Sequence, residues 1–315
     1  MKIIFFGSSK FAVSFLRKLI DSGHEIICVV TQPDKKSGRG MHLSVTPVKD
    51  TAGQFGLKIY QPVDIKAQEA ENYLKSASVD LFVVIAYGQI LPQNILDIPK
   101  LFSINVHASL LPKYRGAAPL NWAIIKGEKM TGVTVIKMDS SMDTGPVISQ
   151  EDVLIDESDT AQSLGDKLSV LGSELLVDTI RLIEGGNFKL ILQNASEATF
   201  APKMKKENGM IDWSSSAEEI FNLVRGCADW PGTFTYFKGK LVKIYNVAVG
   251  QPASRPAGQP IPGEIMEVSK EGIVVAAGKG SLIIQELQLE NKNRKNAIEF
   301  EAENKITAGD VLGKK

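Results

Sequence analysis

The chain has 315 residues, enough for two domains at about 100–200 residues each. Its 43% apolar and 23% charged residues exclude intrinsic disorder, and the balance of 36 Lys+Arg against 36 Asp+Glu excludes attraction of nucleic acid by bulk charge. In chain order, short β-branched runs alternate with helical patterns through the N-terminal half. Residues 3–6 read as a strand ended by Gly7, and 10–21 as a helix with Phe11, Phe15, Leu16 and Leu19 on one face. Strand 25–31, helix 47–56, short strand 58–60, helix 66–76 and the apolar strand 81–87 follow. Further strands are expected at 103–107 and 133–138, with a helix near 117–126 between them. A longer helix is expected over 160–184. Apolar strands separated by helices predict an α/β fold: a Rossmann-like, mostly parallel sheet with helices on both faces. Ligands of such sheets lie beyond the carboxyl ends of the strands.

The pattern changes near residue 189. Residues 190–207 show no period and read as a linker, and 216–226 as a short helix. Five short strands follow at 233–237, 241–249, 263–268, 272–277 and 281–289, spaced by turn residues, with a Pro/Gly-rich loop at 250–262. They predict a small OB-like β-barrel domain over 208–315, after a first, Rossmann-like domain at 1–189. Cys28 and Cys227 are too few for a disulfide framework and form no CxxC pair. The apolar start stops at Gly7, too soon for a signal peptide, and no run of about 20 apolar residues spans a membrane. The expectation is a cytoplasmic monomer with no membrane partner.

A Rossmann-like sheet invites a nicotinamide cofactor, but the turn after the first strand reads Gly7-Ser8-Ser9-Lys10-Phe11, without the second and third glycines of G-x-G-x-x-G. Gly38-Arg39-Gly40 also lacks a third glycine, and no phosphate-binding G-x-x-x-x-G-K-[ST] occurs, so NAD is not expected. The three histidines, His24, His42 and His107, have no ligand spacing, so no metal is expected.

The informative stretch is Ser103-Ile104-Asn105-Val106-His107-Ala108-Ser109-Leu110-Leu111-Pro112. Asn105 and His107 stand two apart on an expected strand and share a face. Asn can donate to a developing oxyanion, and His can donate a proton or hydrogen bond. The same pair would also serve as a hydrogen-bonded strand end. After the next strand, 138–145 carries Asp143, whose carboxylate can orient an imidazole; Asp and Gly also simply mark turns. Asn, His and Asp from neighbouring strand ends suit acyl transfer without a nucleophilic Ser or Cys.

These residues make the chain resemble, from end to end, the methionyl-tRNA formyltransferase family. The resemblance is carried by Val84-Ile85-Ala86-Tyr87-Gly88-Gln89-Ile90-Leu91-Pro92, by 105–112 continuing into Tyr114-Arg115-Gly116-Ala117-Ala118-Pro119, and by 138–145. The Asn, His, Ser-Leu-Leu-Pro and Asp-Thr-Gly elements are shared by 10-formyltetrahydrofolate-dependent transformylases more widely. The acceptor signal comes from 38–49, Ala201-Pro202-Lys203-Met204, Arg225-Gly226, Trp230-Pro231-Gly232 and the trailing β-domain. Two departures are Ser8-Ser9-Lys10, where the family has Thr-Pro-acid, and Met142 in place of a common Leu.

The resemblance implies transfer of a formyl group from 10-formyltetrahydrofolate to the α-amino group of methionyl initiator tRNA, without metal or NAD. Asn105 and His107 are the implied oxyanion donors, with Asp143 positioning His107 and assisting proton transfer. The folate is expected along Ile85, Tyr87, Gly88, Ile90 and Leu91 and against the turn Ser109, Leu110, Leu111 and Pro112. For the tRNA, 35–49 holds Lys35, Lys36, Arg39 and Lys49 with no acid. Further basic clusters are Lys203, Lys205 and Lys206, then Lys240 with Lys243, then Arg294. Two competing readings remain at this point. One is a transformylase acting on a sugar nucleotide or glycinamide ribonucleotide; the other is a noncatalytic RNA-binding protein on the same scaffold.

Overall fold

The computed structural model describes residues 1–37, 42–250 and 260–313. The chain separates into two compact units: residues 1–119, 130–154 and 165–201 form one, and 120–129, 155–164 and 202–315 the other.

The first unit is built on strand β1 (Lys2–Gly7), helix α1 (Phe11–Asp21), β2 (Glu25–Val30), the hairpin β3 (Lys35–Ser37) and β4 (His42–Ser44), α2 (Pro47–Gln54) and β5 (Ile59–Tyr60). It continues with α3 (Gln68–Lys75), β6 (Leu81–Ile85), α4 (Gln93–Leu96), β7 (Phe102–His107), β8 (Met130–Lys137), β9 (Val147–Leu154) and most of α6 (Ala161–Glu184), while α5 (Pro119–Ile125), between β7 and β8 in the chain, is counted with the second unit. The sheet order is β5-β2-β1-β6-β7-β8-β9. The five strands from β5 to β7 are parallel, and β6, Leu-Phe-Val-Val-Ile, is buried along its whole length, as a strand covered on both faces must be. On one face Ile4, Phe6, Phe82 and Val84 pack with Ala70 and Leu74 of α3 and Ile95 and Leu96 of α4. On the other lie α1, with Ala12, Phe15, Leu16 and Leu19 buried, and α6, whose Gly172 lets Phe15 and Val133 approach within the space a Cβ would fill. Thr46 starts α2 by accepting from the Lys49 amide, with Pro47 preset at the first helical position.

Two features differ from the sequence reading. First, β8 runs antiparallel to β7, and β9, which the sequence did not predict, runs antiparallel to β8. The segment between β7 and β8 returns the chain to the sheet at the end it left, instead of crossing over. Strand β9 is an edge, with Gln150, Glu151 and Asp152 blunting it, so it has no apolar run to read. Second, the expected linker is stitched into this unit along 190–201. Ile191 exchanges both backbone hydrogen bonds with Val147 (2.8 and 2.9 Å), and Arg115 is bonded by its amide to Thr199 O (2.9 Å) and by its carbonyl to the Ala201 amide (2.7 Å). The register of this strap comes from backbone pairing, which leaves no side-chain period.

The second unit holds α7 (Ala217–Gly226), started by the reciprocal Ser216–Glu219 capping box, and an antiparallel sheet. Its strands are β10 (Thr233–Phe237), β11 (Lys240–Gly250), β12 (Ile265–Ser269), β13 (Gly272–Ala276), β14 (Ser281–Leu289) and the two-residue β15 (Lys295–Asn296), ordered β10-β11-β14-β13-β12 with β15 beside β14. These are the five strands read from the sequence plus one short addition. Helix α8 (Ala297–Asn304) escapes the sequence reading, because only Ala297 and Phe300 are buried, too few to mark a helical stripe. The sheet's inner face packs Val242, Ile244, Ile273, Val275, Leu282 and Ile284 on Ile220 and Val224 of α7.

Candidate functional site

Ser103, Asn105 and His107 alternate along one face of β7. Asn105 is in register with Val84, so this is the face that α3 and α4 cover over β6. Along β7, Ser103 Oγ still donates to Leu96 O of α4 at 2.9 Å, whereas His107 meets Asp143 of the loop 138–146. Asn105 is half-buried and His107 is 6% exposed.

His107 Nε2 lies 2.9 Å from the Tyr114 carbonyl oxygen, and Nδ1 lies 3.6 Å from Asp143 Oδ2. The Tyr114 carbonyl accepts from the Nε2 side of the ring, and the Asp143 carboxylate faces the Nδ1 side from beyond hydrogen-bond distance. Tyr114 at φ 60° and Gly116 at φ 125° turn the backbone back toward the ring. Gly116 cannot carry a side chain: a Cβ there would lie 2.6 Å from Ala201 O. Its amide donates to Asp143 Oδ2 at 2.9 Å. Asp143 itself is in the left-handed region, φ 56°, which Asp tolerates better than most residues.

The loop around Asp143 is tied twice more. Asp139 accepts from the Ser141 amide (3.0 Å) and from Thr144 Oγ1 (2.8 Å). Gln193 Nε2 donates to the carbonyls of Asp143 (2.8 Å) and Gly145 (2.7 Å), while its Oε1 accepts from Arg115 Nε (3.1 Å) and Nη2 (2.7 Å). The sequence reading misses Gln193, which lies in a segment without pattern. Arg115 stands inside a quoted motif but carries no role in that reading.

The expected folate residues divide into two groups. The turn Ser109, Leu110, Leu111 and Pro112 is a rigid wall. Thr134 Oγ1 donates to Ser109 O (2.6 Å) and accepts from the Leu111 amide (3.1 Å), and Gln150 Nε2 donates to Leu111 O (3.0 Å). The Ser109 hydroxyl is spent on Lys113 O at 2.6 Å. Ile85, Tyr87 and Leu91 are buried, and the Tyr87 ring packs edge-on against Phe6 at 5.5 Å, with its hydroxyl buried and without a hydrogen-bond partner among the described residues. Gly88 and Ile90 are exposed. Beside the site opens a cleft of about 480 Å³ lined by Gln93 and Leu96 of α4, Phe102 and Ser103 of β7, Lys137, Met138, Asp139 and Pro146, among others. None of the expected folate residues lines it. The signal that could have found it is Ser103, two residues before Asn105 on the same face.

Of the expected tRNA residues, Lys35 is exposed on β3 and donates to Gln32 Oε1 (2.8 Å); Lys36 lies in the same strand; Arg39 lies outside the described residues. The charge of this segment is lower than the count over 35–49 implies. Lys49 pairs with Asp34 at 2.5 Å, one residue before the counted window. That contact, with a hydrogen bond from Gln61, holds the Asp34 carboxyl below its ordinary range. Lys203, Lys205, Lys206, Lys240 and Lys243 are exposed. Arg294 is ion-paired with Glu286 and stacks over the Tyr245 ring at 4.2 Å. Among the described residues no group of three His, Cys, Asp or Glu could hold a metal ion, and no helix is long and apolar enough to cross a membrane.

The chain that carries this site is a formyl transferase: residues 1–180 match the formyl transferase family and 203–304 its C-terminal domain. More narrowly, the chain belongs to the methionyl-tRNA formyltransferase family. The protein of that name from Geotalea uraniireducens is 46% identical over 315 residues, spanning all of this chain and 99% of that one. Among solved structures, the N-formyltransferase from Helicobacter canadensis, in complex with folinic acid and dTDP-3-aminofucose, has a TM-score of 0.67 at 19% identity, over 90% of this chain and 98% of that one. HypX from Aquifex aeolicus, in complex with tetrahydrofolic acid, has a TM-score of 0.65 at 18% identity; all of this chain matches about half (51%) of that longer one. At these identities the two structures bear on the fold alone.

Proposed function

We propose that the chain transfers the formyl group of 10-formyltetrahydrofolate to the α-amino group of methionine on initiator tRNA, as a cytoplasmic enzyme that works as a monomer. The observation that carries this reading is His107 held between the Tyr114 carbonyl and the Asp143 carboxylate, on the same strand face as Asn105.

The attacking amine must be neutral; a free α-amino group has a pKa of about 7.7–8.0. Its attack on the formyl carbon forms a C–N bond and moves the carbonyl electron pair onto oxygen. The Asn105 amide donates to that oxyanion, and the His107 ring joins it as Nε2–H exchanges the Tyr114 carbonyl for the new acceptor. Asp143 holds the ring and passes the proton from the attacking amine to the departing N10, whose bond to carbon breaks as the carbonyl re-forms. The folate lies in the cleft between Leu96, Phe102, Met138 and Pro146, with its reacting end toward Asn105. A volume of about 480 Å³, with Leu96, Phe102, Met138 and Pro146 set beside the polar Ser103, Asp139 and Lys137, suits a planar heterocycle that also hydrogen-bonds. The turn 109–112 would close the amine's side of the site. Residues 1–189 are assigned formyl transfer, and the OB-like domain 208–315 tRNA binding.

The deciding experiment supplies the folate donor and offers charged initiator tRNA, uncharged tRNA and small amines, including an amino-sugar nucleotide. Formylation of the charged tRNA alone supports the reading; formylation of the sugar amine with the charged tRNA untouched overturns it. For the tRNA surface, removing a cation that neutralises one phosphate is expected to flatten the log K against log salt slope by about one unit. Lys240→Ala should do this measurably in filter binding across a salt series. Arg294→Ala should do less, because Glu286 already neutralises that guanidinium.

A further inference from the structure

We propose that Gln193, locked by Arg115, is a positioning residue that sets the Asp143 carboxylate against His107. The inference rests on the formyl-transfer reading only for its effect on rate; the geometry stands by itself.

Asp143 occupies a left-handed backbone conformation that costs free energy and persists only where its surroundings over-determine it. Its side chain has one backbone anchor, the Gly116 amide, and stands 3.6 Å from the ring it would orient. That gap is beyond a direct hydrogen bond, so small movements of the loop decide whether the contact exists. Gln193 removes that freedom. Its two amide protons go to two carbonyls on the loop, those of Asp143 and Gly145, spanning the residues that carry the turn.

The orientation of the Gln193 amide follows from its partners. Carbonyls only accept and a guanidinium only donates, so Nε2 faces the loop and Oε1 faces Arg115. The two bonds from Arg115 are charge-assisted and use neighbouring nitrogens of one planar group, which fixes the amide plane. Arg115 in turn is 8% exposed and pinned through its own backbone to Thr199 and Ala201. Its neighbour Gly116 is the residue that anchors the Asp143 carboxylate. One short segment, 115–116, therefore holds Asp143 from both sides: directly by the Gly116 amide, and through Gln193 by the Arg115 side chain.

The test separates this role from a purely structural one. In Gln193→Glu the oxygen facing Arg115 is kept and gains charge, but the two donors to the loop are lost and a carboxylate oxygen faces two carbonyls. If Gln193 served only to satisfy buried Arg115, this variant would fold and turn over as the parent does. The positioning role instead predicts a fall in kcat of about 10–100-fold, as for other partners that orient a catalytic group, with KM for tRNA and folate unchanged. Gln193→Leu should behave alike. In an Asp143→Ala background, adding Gln193→Glu should change kcat no further. A folded Gln193→Glu with parental kcat, or an equal loss on top of Asp143→Ala, overturns the proposal. Hydrogen exchange of the peptide 139–146 gives a readout free of activity. Faster exchange in Gln193→Glu than in the parent supports the clamp, and unchanged exchange refutes it. If the parent shows no formyl transfer at all, the exchange result still decides the clamp, and the functional reading fails separately.

Discussion

His107→Ala is expected to lower the formylation rate by about 10²–10⁴-fold, and Asn105→Ala by about 10²–10³-fold. The two side chains act on one oxyanion from one strand face, so their losses should not multiply: the double variant should fall short of the product of the two. Neither residue belongs to a basic cluster, so tRNA affinity, measured separately, should stay within about twofold. Removing the His107 ring leaves the Tyr114 carbonyl and the Asp143 carboxylate facing a void. His107→Asn is therefore the companion variant, keeping one donor in place with less disturbance. Activity within a few-fold of the parent in both single variants would remove Asn105 and His107 from the mechanism.

Gly145→Ala is expected to be the most damaging single methyl in the site. A Cβ on Gly145 would lie 1.8 Å from the Lys137 carbonyl oxygen and 3.0 Å from its carbon. The obstacle is backbone of β8, whose Lys137 amide is itself bonded to Pro146 O at 3.0 Å, so no flexible side chain can give way. Overpacking of this kind typically costs about 1–3 kcal/mol. Here the displaced loop also carries Asp143 and both carbonyls held by Gln193. The expected result is a lower denaturation midpoint together with a kcat loss as large as that of Asp143→Ala. Gly53→Ala, where a Cβ meets nothing within 4 Å, is the control and should lose neither. Parental activity in Gly145→Ala would mean that the loop does not need its present path.

The legible parts of the fold are those with a strong period. Strands β1, β2 and β6 carry continuous apolar runs, α1 has a clean buried face, and the five strands of the second unit are separated by turn residues. The parts that are not legible lack that signal for identifiable reasons. Strand β9 is a charged edge, α8 buries two residues, and the strap 190–201 is held by backbone hydrogen bonds. The residues expected to meet folate divide as well. Ile85, Tyr87 and Leu91 stand in a motif and are buried, while Leu96, Phe102 and Met138 line the neighbouring cleft without standing out in the sequence.

By itself, then, the sequence determined the α/β class of the first unit, the antiparallel strands of the second, and the pairing of Asn105 with His107. Local periodicity and the two-residue repeat of a strand are enough for each of these. Only the tertiary structure decided what meets them. Residues 107, 114, 116, 143 and 193 are brought together by a turn, a loop and a strap from separate stretches of chain, and no local pattern encodes such a distance. The same holds for charge. Counting along the chain makes Lys49 part of a free basic segment, whereas folding places Asp34 against it at 2.5 Å, because an ion pair is set by proximity in space and not by spacing in sequence.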